Sequence, residues 1–294
     1  MNNSDDRPLV TIGMPVHNGE QFLHDALSSA TGQTVRNIEI IVSDNASTDR
    51  TQEISEDFAA RDSRVKYVRH PRNIGAAKNY NHTFYCAEGE FFCWLAHDDV
   101  LKPKFLETCI NGFAKHGETA VLVYPNFRYV DASLVETEVD SKFVHAMDRS
   151  PLKRFAATLD GLGLVTSVFG LYRRDALAKT RLIGSFISSD YALLVECALL
   201  GQVVRLEGDP QFLRRLHESN SRRANKKAAD VLNWFDPDAT VDKKPKRRLS
   251  QEYLRSIFHI DDLAYSEKLK IAAYLQLRRM VARARNTLAK KANT

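Results

Sequence analysis

Two adjacent carboxylates, Asp98 and Asp99, end one of the most apolar runs in the chain, Phe91-Phe92-Cys93-Trp94-Leu95-Ala96. Like charges repel, and partly desolvating a carboxylate is costly unless a cation or a donor compensates it. A divalent metal holding phosphates is one chemistry that explains the placement, since hard cations prefer oxygen ligands. A helix cap is the other, with Val100-Leu101-Lys102-Pro103 leading into the helix. A further carboxylate, Asp44, ends the run Ile38-Glu39-Ile40-Ile41-Val42-Ser43, where it can accept a hydrogen bond from a base or a ribose. Ser47, Thr48 or Asp49 just beyond it suits the cap of the next helix. A third such end, Met14-Pro15-Val16-His17-Asn18-Gly19-Glu20, turns sharply through Asn-Gly and lacks the GxGxxG dinucleotide fingerprint.

The elements that must position these residues follow from periodicity. Candidate strands are Leu9–Val16, Ile38–Ser43, Val65–Val68, Phe91–Ala96 and Val121–Tyr124. Between them, Glu20–Ala30 places Phe22, Leu23, Ala26, Leu27 and Ala30 on one helical face, and Thr51–Ala60 and Ala76–Cys86 behave alike. Strands alternating with helices of this length predict βαβ units and a mostly parallel sheet in the first half. Right-handed crossovers then bring all the strand C-termini to one edge, where open α/β sheets bind ligands. Residues 132–165 show no clear strand and predict a long loop or a helix over that edge. Ser189–Leu200 predicts a helix, Val203–Leu206 and Phe212–Leu216 short strands, and Ser219–Lys227 a polar loop.

The 294 residues carry a net charge of +5, unevenly distributed. Residues 241–294 hold 14 Lys/Arg against 5 Asp/Glu, whereas the remainder is net acidic. Asp242–Arg248 reads as a linker and about Glu267–Lys290 as an amphipathic helix. Ala273, Tyr274, Leu277, Val281, Ala284 and Leu288 fall on one side of it, with Arg279, Arg283 and Lys290 opposite. Such a helix suits either packing on the body or attachment to an anionic membrane surface. No apolar run approaches the roughly 20 residues that cross a bilayer, and the N-terminus does not resemble a signal peptide. Cys86, Cys93, Cys109 and Cys197 lack zinc spacing and suit small core residues in a reducing compartment, so the cytoplasm is the expected location.

The block PVHNGEQFLHDALSSATGQTVRNIEIIVSDNASTDRT resembles the N-terminal signature of the family 2 glycosyltransferases, with its PxYN turn and VDDGSTD strand end. Asn73-Ile74-Gly75-Ala76-Ala77-Lys78-Asn79 is similar to the family's NxGxxxARN helix start, and Leu95–Asp99 to its DxDD-type metal motif. Ser188-Ser189-Asp190-Tyr191 resembles the ED motif, and Arg215–Ser221 the RxHxxNxS segment. The resemblance covers roughly residues 8–222, with its elements in the family's order.

That resemblance implies a GT-A fold binding a nucleotide-diphosphate sugar, over about residues 1–225, with 226–294 as a basic, mainly helical extension. It implies Asp44 on the base or ribose, Pro15, His17 and Glu20 lining the nucleoside pocket, and Lys78 near the base or pyrophosphate. Asp99 would hold Mg²⁺ or Mn²⁺ on the diphosphate, with His217 as a late metal contact and Asp98 as a donor contact. Asp190 would be the general base for a saccharide or lipid-linked acceptor. The chain departs from the pattern at Ala96, Ser189 and Asn45, where the family carries acids. His217 equally suits a strand histidine bonded to backbone, and Trp94 suits the core. Arg214, Arg215, Arg222, Arg223, Lys226 and Lys227 suit a lid over the diphosphate or a solvated cluster. A sugar-phosphate nucleotidylyltransferase is the alternative enzyme, but residues 12–20 supply only Gly13 and Gly19 of its Gly-rich loop. Nucleic-acid binding through the tail lacks any recognition motif.

Overall fold

Strands β1 (Val10–Val16) and β2 (Ile38–Asp44) are buried along their whole lengths, as continuous apolar runs covered on both faces must be. In the computed structural model, which describes residues 7–138, 142–163, 166–217, 228–238 and 245–292, they are neighbours in a seven-stranded sheet. Its order is β10-β6-β9-β4-β1-β2-β3, where β3 is Val65–Arg69, β4 Phe91–Trp94, β6 Ala120–Tyr124, β9 Leu171–Arg173 and β10 Gln202–Arg205. All pairings are parallel except those of β9, which runs antiparallel between β4 and β6. The register pairs Val16 with Asp44 and Gly13 with Trp94, so the carboxyl ends of β1, β2 and β4 meet at one edge.

Helices α1 (Leu23–Thr31), α2 (Thr51–Arg61) and α3 (Ala76–Tyr85) connect the first four strands. The first starts later than its periodicity predicts, because Phe22 and Leu23 both donate to the Gly19 carbonyl and tie residues 19–22 into turns. Asn79 of α3 stitches two strands together. Its amide donates to the carbonyl of Ser43 at 2.9 Å and of Val16 at 3.4 Å, and it accepts the Ser43 hydroxyl at 2.7 Å.

A four-stranded second sheet, β5-β11-β7-β8, was not apparent in the sequence. It comprises β5 (Val100–Leu101), β7 (Phe127–Val130), β8 (Glu136–Thr137) and β11 (Phe212–Arg215). The first and third of these are two residues long and carry no period. Val100–Leu101 is therefore an edge strand, and the helix that follows, α4 (Phe105–His116), starts beyond it. The Asp98–Asp99 pair does not cap a helix.

The region 132–165 contains β8 and a helix, α5 (Pro151–Gly161), but that helix does not cover the ligand edge. It packs on α7 (Ser189–Leu200) and on the C-terminal helix α10 (Tyr265–Ala292). Here a second apolar cluster forms from Phe155, Val195, Leu199, Ile257, Ile260, Ile271 and Leu275. The short α6 (Arg174–Ala178) follows β9, α8 is Ala228–Phe235, and α9 (Pro245–His259) also packs on α7. Pro245–Arg248 thus opens a helix rather than continuing a linker, with proline in the first turn, where its missing N–H costs nothing. Arg181 clasps α7 to α9, with Nε on Glu196 at 2.7 Å, Nη1 on Glu252 at 2.7 Å and Nη2 on Ser256 at 2.7 Å.

The docked face of α10 differs from the one its periodicity suggested. Ile271 and Leu275 are buried, whereas Leu277 and Val281 are 60% and 43% exposed. The helix carries two apolar faces, and a hydrophobic period alone does not say which one meets the body. Among the described residues no helix is long and apolar enough to cross a membrane. The Ser219–Lys227 loop, with Arg222, Arg223, Lys226 and Lys227, lies outside the described residues, as do the side chains of Leu288 and Lys290.

Candidate active site

The ends of β1 and β2 are sewn together by their turns. Asn18, with φ +52°, and Ala46, with φ +59°, adopt left-handed backbone just past β1 and β2. The Asn18 N–H donates to Ser47 Oγ at 2.9 Å, and its side-chain oxygen accepts the Thr48 N–H at 2.9 Å. Asp49 accepts the N–H groups of Thr51 and Glu20 from one position before the N-cap of α2, which is Arg50. Asn45 accepts the Ile74 N–H at 2.8 Å and donates to Asn73, which places the loop before α3 beside the first two ends. A Cβ on Gly19 would lie 2.6 Å from Val16 and 2.9 Å from His97. That crowding shows how closely the first turn approaches the end of β4.

Antiparallel pairing of β5 with β11 brings residues 98–101 against residues 212–217. The Arg215 N–H donates to Asp99 Oδ1 at 2.8 Å, and His217 Nε2 lies 2.9 Å from Asp98 Oδ2. The His217 ring stands on Phe22, with centroids 4.6 Å apart. Burial disfavours charge on both carboxylates, but the His217 hydrogen bond and the nearby His97 hold Asp98 below its ordinary value. Burial and the Asp98 charge push Asp99 well above its own. The pair thus has one carboxylate whose charge an imidazole favours and one whose charge burial and its neighbour oppose.

These groups line a cavity of about 470 Å³ with Pro15, His17, Asn45, Asn79 and Tyr80. A second cavity of about 440 Å³ adjoins it, lined by Val168, Ile183, Ile187, Asp190 and Tyr191 among others. Tyr80, Phe169, Arg214 and Trp234 border both. Asp190 reaches its position because Ser188, in left-handed backbone with φ +63°, turns the chain into α7, whose first turn holds the carboxylate. Burial, and then the charges of Asp98, Asp99 and Asp190 among its neighbours, raise the Tyr80 phenol above its ordinary value, so this ring stands among the three carboxylates. Across both openings lies α8. Gly75, with φ +85°, is needed there: a Cβ would fall 2.5 Å from the Phe235 carbonyl and 2.7 Å from Pro237.

Of the residues singled out in the sequence, Pro15, His17, Asp98, Asp99 and His217 line the first cavity and Asp190 the second. Three others do not line either. Glu20 is exposed and accepts the Arg50 N–H at 3.1 Å. Asp44 is fully buried beneath the edge, accepting from Ser47 N–H and from the Tyr67 hydroxyl at 2.7 Å. Lys78 reaches Asp236 at 3.3 Å and Asp238 at 3.7 Å, and so ties α3 to the end of α8. Arg215 is no lid residue: it is 1% exposed, lies over the Phe22 ring at 4.3 Å, and pairs with Asp25 at 3.0 Å. Trp94 is core, its indole N–H donating to the Tyr80 carbonyl at 3.0 Å. Arg214, offered in the sequence as a lid residue, borders both cavities, whereas Asn45, Tyr80, Phe169 and Trp234 were not singled out as site residues. Asn45 could have been found, since it follows Asp44 at the strand end; Phe169 and Trp234 carry no local signal.

Among the described residues no three His, Cys, Asp or Glu side chains converge to hold a metal by themselves. His217 Nε2 stands 2.9 Å from Asp98 Oδ2, beside Asp99 in the same cavity. The donor set nonetheless fits a hard divalent ion that takes one or two carboxylates from the protein and its other oxygens from phosphates and water.

A sequence model of the family described as Glycosyl transferase family 2 matches residues 11–181. An uncharacterised glycosyltransferase of Rickettsia typhi is 36% identical over 124 residues, 42% of this chain and 38% of that protein. The putative glycosyltransferase EpsH of Bacillus subtilis is 29% identical over 178 residues, 60% of this chain and 50% of the relative. The chain therefore spans half or less of the length of these curated relatives. Residues 1–349 of S. aureus TarS, solved with UDP-GlcNAc, share the fold with a TM-score of 0.66 at 18% identity. That likeness covers 91% of this chain and 71% of that one. The mannosyltransferase PcManGT of Pyrobaculum calidifontis, solved with GDP-Man and Mn²⁺, has a TM-score of 0.54 at 16% identity, over 97% and 80% of the two chains.

Proposed function

Because the chain belongs to glycosyltransferase family 2, we propose that it transfers a sugar from a nucleotide-diphosphate donor to an acceptor hydroxyl with inversion, Asp190 acting as general base. The observation that carries this reading is the pair of adjoining cavities, one holding Asp98, Asp99 and His217 and the other Asp190, joined at Tyr80, Phe169, Arg214 and Trp234. The donor occupies the first cavity, with its diphosphate toward Asp98 and Asp99. The acceptor hydroxyl enters the second. Asp190 takes the hydroxyl proton as that oxygen bonds to the anomeric carbon. The bond from that carbon to the diphosphate breaks on the opposite side, and its electron pair leaves on the phosphate oxygen. A single displacement of this kind inverts the anomeric centre.

Mg²⁺ or Mn²⁺, when bound, neutralises charge on the leaving diphosphate. Asp99 and Asp98 are the residues that would hold it, with His217 fixing Asp98 by a hydrogen bond. Arg214, at the junction of the cavities, adds positive charge where negative charge develops. Pro15 and His17 flank the nucleoside side. Asp44 and Glu20 serve this site by shaping its loops, and Lys78 by holding α8 down. The acceptor is a saccharide or lipid-linked saccharide, and the setting is the cytoplasm, in the synthesis of cell-surface polysaccharide or lipopolysaccharide.

Replacing Asp190 with Asn tests the assignment, because it keeps shape and removes the base. With Mn²⁺ and a panel of nucleotide sugars and acceptors, turnover should fall by about 10²–10⁴-fold. The donor dissociation constant, measured by calorimetry, should stay near that of wild type. Unchanged turnover would remove Asp190 from the mechanism.

A further inference from the structure

Helix α10 buries only one of its two apolar faces. Ile271 and Leu275 pack in the cluster shared with α5 and α7, with Ala272 and Tyr274 beside them. On the far side, Leu269, Leu277, Met280 and Val281 are 48%, 60%, 65% and 43% exposed, and Ala273 and Ala284 are exposed between them. At 3.6 residues per turn these six form one continuous stripe. Among the described residues, six of the twelve large exposed apolar side chains lie between Phe258 and Val281. Scattered exposed apolar residues are ordinary, but a stripe of them marks a surface that something covers.

Charge identifies what covers it. The helix holds eight Lys/Arg and a single acid, Glu267. Arg283 stands along one margin of the stripe and Arg285 along the other. We propose that this stripe of α10 seats the protein on an anionic lipid surface, the helix lying in the interface plane with its apolar side chains among the acyl chains and its arginines at the headgroups. A second copy of the chain is the competing occupant. Placed stripe to stripe, two copies would set like-charged margins against each other, and the one acid of the helix, Glu267, is already paired with Lys270 at 2.6 Å. Anionic headgroups supply the charge that a second copy lacks.

The full chain, sedimented with phosphatidylcholine vesicles with and without phosphatidylglycerol, provides the test. Binding should be at least about tenfold stronger to the anionic vesicles and should weaken as salt rises. The double variant Leu277→Glu/Met280→Glu should lose it while melting at the wild-type temperature, since both side chains are exposed, and Leu277→Gln/Met280→Gln should weaken it without adding charge. Equal binding to both vesicle types, or to neither, would overturn the proposal. So would duplex DNA binding of similar strength, or a dimer in sedimentation that the double variant dissolves. None of these readouts depends on catalysis, so the outcome is independent of the transferase reading.

Discussion

Adjacent buried carboxylates at 98 and 99 are tolerable because each has been given a different partner. Asp98 has an imidazole and Asp99 a backbone N–H, and burial, with the Asp98 charge second, pushes Asp99 upward. Exchanging Asp99 for Asn keeps an oxygen for the Arg215 N–H and removes the like charge. The ligand-free variant should therefore melt at or above the wild-type temperature. What it should lose is the part of the nucleoside-diphosphate thermal shift that requires Mn²⁺. For wild type at 100 times the dissociation constant the full stabilisation is about 2.7 kcal/mol. A variant that keeps the whole Mn²⁺-dependent shift would show that Asp99 does not face the ion. The same residues show why single positions mislead at this scale. Asp44 and Asp98 both end buried strands, yet Asp44 turns inward to Tyr67 and Ser47 while Asp98 lines the cavity.

Among the elements, α8 and α9 decide how the site is closed and held. Trp234 of α8 borders both cavities and is 36% exposed, whereas the chain's other tryptophan, Trp94, is fully buried. Nucleotide-sugar binding should therefore change the tryptophan emission of wild type and leave that of Trp234→Phe nearly unchanged. An equal change in both would mean that α8 does not contact the ligand. The clasp at Arg181 works on a different joint. Glu196 is buried on α7, six residues beyond Asp190; Arg181 neutralises it and the Ser256 hydroxyl donates to it. Arg181→Met strands that carboxylate, and a loss of about 3 kcal/mol in urea denaturation is expected. If α9 were a passive appendage, the loss would be far smaller.

For the whole molecule, acid sensitivity follows from two half-buried histidines, His70 just past β3 and His82 on α3. His70 and His82 stack edge to face at 4.5 Å and both contact Ser43 Oγ at 3.0 Å. Burial lowers both below the ordinary imidazole value; Asn79 and Asp44 partly oppose this for His70, while His70 adds to it for His82. The unfolded chain therefore takes up protons first. Their contribution to stability is complete above the unfolded value of about 6.5 and drains away as pH falls through it toward the folded values. The melting temperature should fall between about pH 7 and pH 5, and His82→Asn should flatten that fall. An unchanged slope in the variant would locate the acid sensitivity elsewhere.

The sequence by itself determined the alternation of elements, the parallel strands of the first half, α7 in full, and five of the residues that line the first cavity. Those signals are local: apolar runs, helical periods and polar residues at strand ends survive without any knowledge of the partner strand. The order of the family motifs added which ends share an edge. Only the tertiary structure decided the rest. The two-residue strands β5 and β8 and the three-residue β9 exist because neighbours supply their hydrogen bonds, and no period can form in so short a segment. The β5–β11 pairing, between residues over a hundred positions apart, set His217 on Asp98 and buried Arg215. Packing also chose between two apolar faces of α10, and it turned Asp44, Glu20 and Lys78 into supports of a cavity they do not line.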